Sequence, residues 1–227
     1  MLTRRDFIKV TMGASVFVTL IGDGLGAISR VFAGDERQSL PYKTGTATWF
    51  KKGYVVLVGS RSEVEQSRFA YSAMRELTIE KKIPTAYLSP SIAKEDLSLE
   101  LLAYMSGVQG TGHHSSTGSD WGRIATSAGG LAESPLYVHD AALIEVAQIR
   151  HVICEIKRLD GLDIGLVLVD YLQALGPMAG SEEVMQTVGY LKTLARNMNI
   201  TIVAMTQAGK YPHYNQIKRL ADETLCL

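Results

Sequence analysis

Gly165-Leu166-Val167-Leu168-Val169-Asp170-Tyr171-Leu172-Gln173 is the stretch from which the fold can be read. Leu166 to Val169 are apolar at every position rather than at alternate ones. Such a run belongs to a strand buried on both faces, as in a parallel sheet covered by helices. Asp170 leaves the carboxyl end of that strand, which is where ligands bind in α/β sheets. Taken alone, an Asp there serves equally well as a turn or helix cap.

Outward from this strand the same pattern recurs. Tyr54 to Val58, between Gly53 and Gly59, reads as a buried strand, and so do Pro84 to Leu88, Leu136 to Val138 and Ile200 to Met205. Between them lie stretches of helical character at Val64 to Lys82, Ala93 to Ser106, Asp120 to Leu131, Ile144 to Leu159 and Val184 to Asn197. Leu97, Leu101, Leu102 and Met105 recur at helical spacing, as do Ile149, Ile153 and Ile156. Strands alternating with helices of this length imply βαβ units and a mostly parallel, doubly wound α/β sheet. A short run, Thr224 to Leu227, closes the chain, and no internal repeat is evident.

Composition sets further bounds. The 227 residues have a formal net charge of zero, with 23 basic and 23 acidic side chains. A chain this neutral exerts no global pull on a polyanion such as DNA. Cys154 and Cys226 are too few for a disulfide framework. Cys154 lies in an apolar-periodic stretch and is expected to pack as a small buried hydrophobe. Trp49 and Trp121 are expected in core or edge packing rather than as base-stacking platforms. His113 and His114 sit in a Gly/Ser/Thr-rich stretch with no third ligand at motif spacing, so no metal site is expected.

The first residues include Thr3-Arg4-Arg5-Asp6-Phe7-Ile8-Lys9, then an apolar run from Val10 to Gly22, then Val31-Phe32-Ala33. The apolar run is shorter than the roughly 20 residues needed to span a bilayer and reads as the hydrophobic part of a signal peptide. The Arg4-Arg5 pair followed by Phe-Ile-Lys resembles a twin-arginine translocation leader. That resemblance implies recognition by the twin-arginine translocase and export of a folded domain to the periplasm or another extracytoplasmic space. A leader left uncleaved would tether it to the membrane. The expected organisation is a leader over 1–33, a linker over 34–48 and one domain over 49–227. About 190 residues are enough for a core without staples.

The Asp170-Tyr171-Leu172-Gln173 run in its strand, Leu191 to Ala195, and Asn199 to Gln207 resemble successive segments of DnaB-type replicative helicases. Pro135 to Asp140 and Lys94 to Leu97 match in order and spacing as well. The resemblance covers roughly Gly45 to Leu227 and implies a RecA-like P-loop NTPase fold, in which Asp170 organises the metal and Gln207 senses the γ-phosphate.

The same resemblance brings out departures. Aligned on Phe69-Ala70, the family's Gly-Lys-Thr falls on Glu65-Gln66-Ser67. That lysine ordinarily neutralises the β- and γ-phosphates, and that glycine lets backbone N–H groups approach them. Here Glu65 brings a side chain and a negative charge, Gln66 carries no charge, and Glu63 adds a second acid. Only Ser67 keeps a hydroxyl suited to Mg²⁺. Arg61 or Arg68 could stand in for the cation. The catalytic glutamate position falls on Ser91, which cannot serve as a carboxylate base.

The family hairpin bearing an arginine finger has no counterpart in these residues, and Lys210, Lys218 and Arg219 read as a solvated basic face. The expectation is a non-hydrolysing binding or scaffold protein with no confident catalytic residue and no cofactor. It would assemble with itself or with another exported protein. The alternative is a divergent enzyme using Mg²⁺-ATP on single-stranded DNA in DNA replication.

Overall fold

The computed structural model describes residues 8–9, 48–89, 92–108, 118–139, 145–175, 181–208 and 213–227. Arg4, Arg5, Ser91, His113, His114, Asp140 and Lys210 therefore lie outside the described residues. The strands are β1 (Ile8–Lys9), β2 (Val55–Ser60), β3 (Thr85–Leu88), β4 (Leu136–His139), β5 (Leu166–Val169), β6 (Thr201–Gln207) and β7 (Glu223–Cys226). The helices are α1 (Glu63–Ala73), α2 (Lys94–Ser106), α3 (Gly118–Ala132), α4 (Val146–Asp160), α5 (Ser181–Met198) and α6 (Tyr214–Leu220). A wider helical segment, Met74–Glu80, continues α1, with the Lys81 N–H bonded to the Glu76 carbonyl.

These strands join one sheet in the order β1-β4-β3-β5-β6-β2-β7. Every pairing among the described residues is parallel except β1 with β4. The continuous apolar runs are buried at every position, as a sheet covered on both faces requires.

Strand alternation sorts the core into two layers. Val55, Leu57, Ala86, Leu88, Val167 and Val169 face one way, onto α4, α5 and Ile217 of α6. Val56, Val58, Tyr87, Leu166, Leu168 and Val203 face the other, onto α1, α2 and Leu131 of α3. This is the doubly wound α/β domain expected from the alternation of elements.

Local sequence sets the helix ends. The Glu145 N–H donates to the Gln148 side chain at the start of α4, half of a reciprocal cap. The same helix stops at Gly161, whose φ of +71° is left-handed and therefore favours glycine.

Two expectations need revision. Cys154 is exposed, because the buried stripe of α4 is Ile149, Val152, Ile153 and Ile156, and residue 154 falls off that stripe. Trp121 is also exposed, at the start of α3, whereas Trp49 is buried against Phe69. Ile8–Lys9 pair with Val138 and Tyr137 at the sheet edge. Both cysteines are free thiols. No helix among the described residues is long and apolar enough to cross a membrane.

Candidate functional site at the carboxyl ends of the strands

The carboxyl ends of β2, β6, β5 and β3 lie side by side in the sheet. Ser60 at the end of β2 is paired with Gln207 at the end of β6, and Val169 of β5 with Leu88 of β3. Asp170 follows directly, its backbone N–H bonded to the Leu88 carbonyl at 2.8 Å. The sheet register thus brings Asp170, Gln207 and the β2–α1 loop to one edge.

That loop is very short. β2 ends at Ser60 and α1 begins at Glu63, leaving Arg61 and Ser62 between them. The Gln66 N–H is already bonded to the Ser62 carbonyl at 3.2 Å. Glu63 and Glu65 both sit in the first helical turn, where the positive end of the helix dipole favours acids.

The Ser60 hydroxyl lies 2.8 Å from both the Glu65 carboxylate and the Ser62 carbonyl, which share its one proton. The Glu63 carboxylate accepts a hydrogen bond from the Gln207 side-chain amide at 2.6 Å. Gln66 is buried, and its side-chain nitrogen has no partner among the described residues. Of the two candidate substitute cations, Arg61 is exposed and Arg68 half-buried.

Asp170 is held by hydroxyls. The buried Tyr87 donates to its Oδ2 at 2.5 Å, and the Ser89 hydroxyl lies 3.5 Å from the same oxygen. Burial pushes the Asp170 carboxyl above its ordinary range; the Tyr87 and Ser89 bonds oppose that, and the nearby Glu63 and Glu100 charges add to it. The Tyr87 hydroxyl is itself pushed up by burial and by the Asp170 charge.

A second tyrosine–carboxylate pair, Tyr71 of α1 with Glu100 of α2, borders the first. Ser67 lies within hydrogen-bonding reach of the Tyr71 hydroxyl. Three residues after Asp170, the Gln173 amide donates to Thr206 at 2.6 Å.

Of the residues singled out in the sequence, Asp170 directly after β5, Gln207 on β6, and Glu63, Glu65, Gln66 and Ser67 on α1 all lie at this edge. Tyr71, Tyr87 and Glu100 were not foreseen. Tyr87 sits inside a strand-like run and Glu100 inside an amphipathic helix, so each already had a structural explanation. The one available signal was a hydroxyl-bearing residue near the end of a strand that the fold places beside β5. No cluster of three or more His, Cys, Asp or Glu among the described residues has metal-binding geometry.

Comparison with known proteins places this edge in a family. The model of the DnaB-like helicase C terminal domain matches residues 45–220. The chain is 30% identical over 179 residues to the replicative DNA helicase DnaB of Treponema pallidum (strain Nichols), a match covering 76% of this chain and 40% of that protein. It is 25% identical over 177 residues to the replicative DNA helicase DnaC of Bacillus subtilis (strain 168), covering 75% of this chain and 38% of that one. The chain thus spans about two fifths of the length of these relatives.

In fold it is similar to a solved ATPase domain, with a TM-score of 0.68 and 16% identity over 95% of this chain and 83% of that one. It is also similar to a DnaB-like replicative helicase, with a TM-score of 0.61 and 20% identity over 70% of this chain and 39% of that one. The sheet order, the strand-end Asp170 and the match over most of the chain agree, and the chain belongs to the DnaB-like helicase C-terminal domain family.

Proposed function

We propose that this chain is a member of the helicase ATPase-domain family that does not bind or hydrolyse ATP and acts as a binding or scaffold protein. The β2–α1 loop carries the reading. In a phosphate-binding loop, free backbone N–H groups wrap the phosphates and a lysine neutralises them. Here α1 begins at Glu63, and the Gln66 N–H is spent on the Ser62 carbonyl.

The position of the lysine holds Gln66, whose side chain is buried. Glu63 and Glu65 bring two carboxylates to the first turn of α1, the end at which a phosphate-binding helix takes its anion. A unit charge about 5 Å from a like charge is opposed by roughly 3 kcal/mol at an effective dielectric constant of about 20. These residues do not fit Mg²⁺-ATP, and no step through it is derived. Asp170 and Gln207 survive with other partners, Tyr87 and Glu63.

The segment Thr3 to Lys9, the apolar run behind it and Ala33 support export through the twin-arginine translocase. An extracytoplasmic setting, poor in ATP, removes the need for a working phosphate loop. The partner there is a second copy or another exported protein. Fusing residues 1–33 to a reporter active only after folded export tests the address: signal lost in Arg4→Lys/Arg5→Lys supports it, and signal unchanged contradicts it.

The alternative is a divergent DNA-dependent ATPase, favoured by family membership and by the persistence of Asp170 and Gln207. Steady-state hydrolysis by the full chain with Mg²⁺ and single-stranded DNA separates the two. Turnover no greater than that of Asp170→Ala supports the non-hydrolysing reading. Turnover abolished by Asp170→Ala would replace it with the alternative.

A further inference from the structure

We infer that the outward face of α5 is a docking surface for the same face of a second copy of this chain, the two helices running antiparallel about a two-fold axis at Gly189. The inference rests on the scaffold reading above and deepens it by naming a partner and the surface that takes it.

α5 has two distinct faces. Val184, Val188, Leu191, Leu194 and Ala195 are buried against the sheet. At 3.6 residues per turn, Glu182, Met185, Gln186, Gly189, Thr193 and Arg196 fall within about 60° of one line on the other side. All six are exposed. Met185 is 53% exposed, and Tyr190 at the rim of this face is 37% exposed. Two apolar side chains in solvent mean little by themselves. Their arrangement about Gly189 is what points to a partner.

The face is self-complementary. Glu182 lies seven residues before Gly189 and Arg196 seven after it, while Met185 lies four before and Thr193 four after. An antiparallel copy centred on Gly189 therefore sets Glu182 against Arg196 of the second copy, and Met185 against its Thr193. A two-fold axis repeats each contact, so opposite charges meet at both ends of the helix pair. A parallel pairing would instead set Glu182 on Glu182 and Arg196 on Arg196. The antiparallel arrangement also brings opposite ends of the two helix dipoles together.

Gly189 fits the axis. Glycine inside a helix is unfavourable, and a Cβ at Gly189 would meet nothing within 4 Å, so the fold of one chain does not call for it. Where two helices cross, the side chains at the contact set how closely the axes approach. A glycine there lets the backbones come together and lets Met185 and Tyr190 cover the crossing.

Both charges are available. The Arg196 side chain is 65% exposed and stands 3.6 Å from Asp222, which Lys192 holds more closely at 2.8 Å. The guanidinium therefore keeps donors for a second carboxylate. Glu182 accepts a bond of 3.4 Å from the Gln186 amide one turn along. Exposed ion pairs add little affinity; here they fix orientation, and the apolar contact supplies the attraction. α5 is about 27 Å long, and one helix pair covers less than a standard interface of about 1,600 Å². The dimer is therefore weak, forming at about micromolar concentration or above.

Sedimentation velocity of the full chain without nucleotide, from about 1 to 300 µM, tests this. The weight-average mass should rise from monomer toward dimer and no further. Gly189→Lys favours the helix but sets like charges on the axis, and it should raise the dissociation constant at least tenfold. Glu182→Arg and Arg196→Glu should each weaken the dimer by a similar factor. An equimolar mixture of these two restores opposite charges at both ends and should dimerise within about threefold of the unaltered chain. A chain that stays monomeric throughout would overturn the inference. So would an assembly whose dissociation constant is unchanged in Gly189→Lys, or a mixture that stays monomeric while both variants keep their circular dichroism. These runs contain no nucleotide, so their failure is separate from that of the non-hydrolysing reading, which ATP binding by the unaltered chain would defeat.

Discussion

Asp170→Asn should make the chain more stable at neutral pH, although Asp170 is the most family-like residue of the site. The carboxylate is held by Tyr87 at 2.5 Å and by Ser89 at 3.5 Å, and the charges of Glu63 and Glu100 press on it. Asparagine keeps an acceptor for the Tyr87 hydroxyl. It forfeits the charge-assisted part of that bond, about 1 kcal/mol from the difference between charged and neutral hydrogen bonds. It also removes a carboxylate charge that burial and the neighbouring acids disfavour, a cost of about 2 kcal/mol.

The net expected gain is about 1 kcal/mol, or a rise in Tm of about 2–4 °C for a chain of this size. The sign of the pH dependence follows from the shift. The Asp170 carboxyl is raised in the fold, so its cost is present above the folded value and absent below the ordinary value of 3.8. Thermal unfolding of wild type and Asp170→Asn across pH 4 to 8 should show a gap that is widest at high pH and closes as pH falls. An asparagine variant that melts below wild type at pH 8 would mean that a cation compensates the charge, and would refute the reasoning.

Other expectations are simpler to check. Asp222 bonds Lys192 at 2.8 Å and the Val55 N–H at 2.9 Å, with Arg196 at 3.6 Å, joining the starts of β2 and β7 to α5. Asp222→Ala should cost about 2 kcal/mol in urea unfolding, between the values for exposed and buried pairs. Burial pushes the Asp222 carboxyl up, but Lys192, the Val55 N–H and Arg196 outweigh it and hold the carboxyl below its ordinary value of 3.8. The stabilisation is therefore present above that value and lost as pH falls through the folded one, so the gap between wild type and Asp222→Ala should narrow in acid. Gly59→Ala should lose about 1–3 kcal/mol by forcing the Tyr214 ring away, and adding Tyr214→Leu should recover part of it. Gln66→Met should gain about 1 kcal/mol by removing a buried amide nitrogen that has no partner among the described residues, and a loss of stability on chemical denaturation would contradict that.

The fold was legible because buried parallel strands advertise themselves. Leu166 to Val169 and Ile200 to Met205 are apolar at nearly every position, a pattern that few other structures require. Asp170 and Gln207 were legible for the same reason, since each ends such a strand. Pairings across the chain were not. Nothing at Glu63 signals Gln207, and nothing at Tyr87 signals Asp170, 83 positions away; only the sheet order makes them neighbours. Cys154 misled because residues around it are apolar at helical spacing, and one position off the stripe is enough to reach solvent. The Met74–Glu80 widening of the helix after α1 has no marker in its residues, which include neither proline nor glycine.

Calorimetric titration of Mg²⁺-ATP into the full chain, beside Asp170→Ala, tests the loss of nucleotide binding most directly. A phosphate loop closed by Glu63, Glu65 and a buried Gln66 predicts no heat of binding at millimolar nucleotide in either protein. Micromolar binding by the unaltered chain, abolished in Asp170→Ala, would contradict it and make the chain a divergent ATPase.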